Sequence, residues 1–123
     1  MARKITKQLL SGSTRGKPIK VVATATAGTV IHATGTSASI IDEVTLYAHN
    51  SDTADRTLTI EFGGVTDPDD LIVKAITIPA RVTRSVVVWQ QPLVGTGSVA
   101  STVAAFASVA NVITITGFVN RIT

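Results

Sequence analysis

Apolar and polar residues alternate along most of this chain, in short runs that end at turn residues. In LTIEFGG (58–64), Leu58, Ile60 and Phe62 fall on one side of an extended backbone and Thr59 and Glu61 on the other. Gly63-Gly64 then frees the chain to turn. The same rhythm recurs in IKVVATAT (19–26), TVIHA (29–33), EVTLYAHN (43–50), RTLTIEF (56–62), LIVKAITI (71–78), VTRSVVVW (82–89), VASTVAAFA (99–107) and NVITITGFVN (111–120). Turn residues lie between nearly all of them. Asp67-Pro68 fits the first two positions of a type I turn, because proline presets φ near −65°. Eight candidate strands at regular spacing, with no helix of ordinary length competing and no long repeat, predict an all-β fold. The expected form is a single antiparallel β-sandwich, jelly-roll or Ig-like.

Composition agrees. Val, Ile, Thr and Ala carry a hydrophobic content of 45%, aromatics are only 4%, and β-branched residues suit a pleated surface. A chain of 123 residues fits one domain. It has no cysteine, so neither a disulfide framework nor a thiolate metal site is available. MARKITKQLL starts basic but lacks an apolar run long enough for a signal peptide, so synthesis in a cytosol is expected.

The net charge of +3 is unevenly distributed. Residues 1–20 carry six basic groups and no acid, whereas all eight acids lie between Asp42 and Asp70. The first eighteen residues show little period and contain Ser11-Gly12-Ser13 and Gly16-Lys17-Pro18. They read as an extended basic arm (1–18) ahead of the sandwich domain (19–123), mobile when free; a short helix over Ile5–Leu10 is the alternative, though one so brief is marginal in water without tertiary contacts. Fully extended, such an arm reaches roughly 60 Å. Arg3, Lys4, Lys7, Arg15 and Lys17 would face an acidic protein surface, with Ile5, Leu9 and Leu10 as apolar anchors.

No charge occurs between Arg84 and Arg121, and VASTVAAFASVANVITITGFV (99–119) is long enough for a membrane span. Its many Thr and Ser residues, Asn111 and a period of two argue against that. The preferred reading is two strands whose neutral outer faces, including Thr114, Thr116 and Phe118, are covered by another subunit.

Catalytic equipment is sparse. His32 and His49 sit at strand ends without a short metal-ligand spacing. Asp67, Asp69 and Asp70 lack the ligand order of a calcium loop. Asp42 and Glu43 point to opposite faces of a strand, no G-x-S-x-G elbow occurs, and Gly95-Thr96-Gly97 lacks a phosphate-loop Lys. No enzyme, metal or cofactor is expected. Six arm cations could neutralise phosphates, but the aromatics sit within apolar strands rather than on a stacking platform, so nucleic acid is not the expected partner.

VTLYAHNSDTADRTLTIEFGG (44–64) and AAFASVANVITITGFVNRIT (104–123) resemble segments of the small β-sandwich structural proteins of tailed bacteriophage virions, notably head decoration or cement proteins. The second segment corresponds there to a C-terminal hairpin. The resemblance implies a non-enzymatic component of the virion, assembled in the host cytoplasm, commonly as a homotrimer bound to the major capsid protein on the shell exterior. A tail, neck or fibre-associated binding module is the alternative. Residues expected in the core are Leu46, Leu58, Ile60, Phe62, Ile113, Ile115 and Val119.

Overall fold

A computed structural model describes residues 3–81 and 86–123. Among these, nine strands form two antiparallel sheets packed face to face, and there is no helix. The strands are β1 (Ile5–Leu9), β2 (Ile19–Lys20), β3 (Thr29–Ala33), β4 (Ile41–Asn50), β5 (Arg56–Phe62), β6 (Leu71–Ile78), β7 (Val86–Leu93), β8 (Thr102–Ala107) and β9 (Ile113–Ile122). Sheet I has the order β1-β9-β4-β7, with β2 pairing β9 beyond the end of β1. Sheet II has the order β3-β8-β5-β6. From β2 onward the chain changes sheet at every step except the β5–β6 hairpin. That yields the orders 2-9-4-7 and 3-8-5-6, the strand order of a jelly roll rather than an Ig-like sandwich.

The alternation does what the sequence predicts. Val44, Leu46 and Ala48 of β4, Ile113, Ile115 and Val119 of β9, and Leu58 and Ile60 of β5 all point inward and are fully buried. Phe62 is half-buried against the same core. Each Val, Leu or Ile side chain removed from water in this way contributes about 1.5–3 kcal/mol.

Several expectations need correction. Segment 19–26 is strand only at Ile19–Lys20. Val21 then bonds to Ile113 and Asn111, and the Ala23 carbonyl accepts from Ala107 N–H, so this stretch carries the chain from sheet I to sheet II. β8 and β9 are not a hairpin. They are central strands of opposite sheets, with β8 between β3 and β5 and β9 between β1 and β4. Much of the missing charge in this region therefore follows from burial within the chain itself. The turn after β5 is displaced as well: the Pro68 carbonyl accepts from Leu71 N–H, which puts Pro68 at the first position instead of the second. The start of segment 82–89 lies outside the described residues.

The N-terminal residues differ most from expectation. They do not extend away from the domain. Ile5–Leu9 pairs with Phe118–Ile122 as β1, and reciprocal Lys4–Thr123 backbone bonds continue the ladder. Leu10, expected as an anchor for a partner, is only 2% exposed and belongs to the chain's own core. Beyond it, Gly12 N–H donates to the Ile31 carbonyl (2.9 Å) and Ala33 N–H donates to Ser11 Oγ (2.7 Å). A Cβ on Gly12 would lie 2.6 Å from the Val30 and Ile31 carbonyl oxygens, so glycine is what permits this approach. Residues 5–12 thus run from the edge of sheet I to the edge of sheet II and close one side of the sandwich.

Candidate interaction face

The outward positions of sheet I bring most of the sequence-predicted contact residues onto one surface. Strand register sets them in rows across the sheet. Ile5, Ile122 and Ile41 form the first row, Lys7, Asn120 and Glu43 the second, and Leu9, Phe118 and Thr45 the third. Thr116 with Tyr47, and Lys20 with Thr114 and His49, complete the face. Ile5 is 67% exposed and Leu9 57%. Phe118, Thr114 and Thr116 are half-buried. The ammonium of Lys7 lies 5.0 Å from the Phe118 ring centroid, a cation–π contact that holds the lysine stem against the aromatic face. Gln90 Nε2 donates to Thr45 Oγ1 (3.0 Å), and Asn120 Nδ2 approaches Glu43 Oε1 at 3.4 Å.

The remaining predicted contact residues spread around this face. Arg3 Nη1 donates to the Ser39 carbonyl (3.1 Å), and Lys4 is held by its backbone at the end of the β1–β9 ladder. Arg15 and Lys17 are exposed in the 10–18 loop between β1 and β2. The face therefore combines exposed aliphatic and half-buried aromatic groups with Lys7 and Lys20, and it is bordered by Arg3 and Lys4. Glu43 is its one acidic outward residue among the described positions.

Behind the face lies a constellation that sequence reasoning did not assemble. Asp42 is fully buried, and Arg121 holds it from two nitrogens, Nε to Oδ1 at 2.7 Å and Nη2 to Oδ2 at 2.8 Å. His32 Nε2 lies 2.8 Å from the same Oδ2. Ser11 N–H donates to His32 Nδ1 (3.0 Å), which leaves the ring proton on Nε2, pointing at Asp42. Burial alone would raise the Asp42 pKa. Hydrogen bonds from Arg121 and His32, together with the guanidinium charge, outweigh it and hold the carboxyl below its usual range. Asp42 in turn raises Arg121 further, against the effect of burial.

Serine, histidine and aspartate meet here, yet the arrangement does not build a nucleophile. The Ser11 hydroxyl accepts from Ala33 N–H, and both ring nitrogens of His32 are engaged within the fold. The cluster joins β3 of sheet II to β4 and β9 of sheet I and to the N-terminal strap. It is a clasp between the two sheets, and His32, near the end of β3, is a buried member of it.

No family model, curated protein or solved structure matches this chain. Among the described residues no group of three or more His, Asp or Glu side chains could hold a metal ion, and no helix is long and apolar enough to cross a membrane.

The clasp had a signal in the sequence. Asp42 shares its side of the strand with Val44, Leu46 and Ala48, so an acid stood at an inward position. Its partners are separated from it by 10 and 79 residues, and no spacing rule joins them. Glu61 gave no such signal. It occupies an outward position of β5 but is 1% exposed, because the 21–28 crossover covers it.

Proposed function

We propose that this chain is a non-enzymatic structural protein of a tailed-phage virion, of the decoration or cement kind, which attaches to the shell through the outward face of sheet I. The observation that carries this reading is the merging of two expected contact regions. Ile5, Lys7 and Leu9 of the N-terminal segment lie beside Thr114, Thr116 and Phe118 as one continuous patch.

A strand-paired patch suits attachment better than a free arm. Ordering a loose arm costs roughly 1–2 kcal/mol of backbone entropy per residue, and residues 5–9 have already met that cost in folding. The cations of the patch and its border favour an acidic partner, and its aliphatic groups favour contact that survives salt. Jelly-roll domains are common in viral shells, which agrees with the resemblance of segments 44–64 and 104–123. The homotrimer and the major capsid protein as partner belong to this same proposal.

Negative-stain imaging of virions made with and without the chain tests it. Density on the head that appears only with the chain supports a decoration role. Density at the neck, tail or fibres moves the protein to the alternative class, and unchanged particles remove it from the virion.

A further inference from the structure

On the opposite face of the sandwich, Thr59 and Glu61 of β5 and Phe106 of β8 lie in a pocket of about 370 Å³. Its other lining residues include Thr26, Val65, Leu71 and Lys74. The pocket is a product of irregular pairing. The register of β6 against β5 shifts twice, on either side of Ile60, and Ala75 takes a left-handed φ of 51°. Ala75 N–H thereby turns to Thr59 Oγ1 (3.0 Å). Bulges of this kind recur where a strand must leave room beside a binding site.

Glu61 is the unusual group. Its Oε1 accepts from Gly28 N–H (3.0 Å) and its Oε2 from the Thr26 hydroxyl, so only neutral donors meet it. Among the described residues, none of the ion pairs within 4.0 Å involves Glu61. Lys74, at the same pocket, is held by Asp67 (2.7 Å). Asp42 shows the contrasting case, a buried carboxylate matched by a guanidinium and an imidazole. Each Glu61 oxygen retains a second lone pair, and Val65, Leu71, Ala75 and Phe106 give the pocket a largely apolar wall, with the Lys74–Asp67 pair also lining it. A buried acid beside an aromatic ring, in an apolar pocket at the small end of the ligand-binding range, matches one chemistry: a charged head on a short hydrocarbon stem.

We infer that this pocket binds an alkylammonium group, with the ammonium at Glu61 and Thr26 and the alkyl stem against Phe106, Leu71 and Val65. The group could be a free amine or the side chain of a lysine on a partner, and the two sources share this recognition. The site lies on the face opposite the proposed attachment surface, so either proposal can fail without the other.

The test is a titration of the full-length, isotope-labelled protein followed by amide chemical shifts. The probes are n-butylammonium, 1,5-diaminopentane, Nα-acetyl-lysine methylamide and the neutral control n-butanol. Saturable shifts centred on Gly28, Thr59 and Ala75 with an ammonium probe, and at least tenfold weaker binding of butanol, are expected. Glu61→Gln should weaken ammonium binding by about tenfold or more, and Phe106→Ala by about two- to fivefold. Tighter binding of the diamine assigns a free amine, and tighter binding of the lysine amide assigns a partner side chain. Equal binding of butanol and butylammonium, or no localised shift with any probe, overturns the inference. Should Glu61→Gln fail to fold, Phe106→Ala and the butanol comparison in the native protein decide it.

Discussion

The outward face of sheet I presents Ile5, Leu9 and Phe118 among lysines, whereas that of sheet II sinks a carboxylate into an apolar pocket between β5, β6 and β8. Both faces come from the same alternation of residues. They diverge because of what lies alongside them. β1, β9 and β4 keep an unbroken register across sheet I, so their outward side chains stand in straight rows and form a broad surface. β6 slips twice against β5, and the 21–28 crossover bends over Glu61, so sheet II forms a recess. A broad surface with exposed aliphatic groups suits another protein, and a recess with one buried acid suits a small cationic group. Register, more than composition, separates the two.

The strongest way to break this contrast is to loosen the sheets from each other. Asp42→Ala leaves Arg121 and His32 without their shared acceptor and should cost about 3–5 kcal/mol in urea unfolding, disturbing both faces together. Leu10→Ala opens the core beneath the N-terminal strap and should cost about 2–5 kcal/mol. An unchanged midpoint would mean that residues 5–12 detach in solution, as the free-arm expectation held.

Acid should act through the same clasp. The folded Asp42 carboxyl lies below its unfolded value, near pH 3.9, so its stabilisation is complete above that pH and is lost as the pH falls through the lower folded value. Asp42→Asn should therefore flatten the decline of stability below about pH 4, as followed by circular dichroism. The smallest effect is expected at Lys7→Ala, where loss of the ring contact with Phe118 should cost about 0.5–1 kcal/mol and leave the pocket over Glu61 unchanged.

The strand rhythm was legible in the sequence because alternation is local: a residue's side of the strand is fixed by its immediate neighbours. Leu46, Leu58, Ile60, Ile113, Ile115 and Val119 are buried for that reason. What alternation cannot carry is which strand lies beside which. Ile5–Leu9 shows a weak period of its own and becomes a strand because the edge of β9 accepts it. β8 and β9 look like hairpin partners because they adjoin in sequence, yet the turn at 108–112 passes from one sheet to the other. Thr114, Thr116 and Phe118 were placed outward correctly by period two, and their meeting with Ile5 and Leu9 depended on a register across more than a hundred residues. Glu61 was hidden for the same reason, since its cover comes from a segment some 35 residues earlier.

One measurement addresses the attachment face most directly: co-sedimentation of the purified protein with particles prepared without it, comparing the native chain, Thr116→Glu and Glu61→Gln. Thr116 stands in the middle of the sheet I face, and a glutamate there sets a negative charge against the acidic partner that the lysines imply. Thr116→Glu is expected to weaken attachment at least tenfold, a loss of about 1.4 kcal/mol or more, while Glu61→Gln attaches as the native chain does. Native-level attachment of Thr116→Glu would contradict the assignment of sheet I, and loss of attachment confined to Glu61→Gln would move the attachment site to the pocket face.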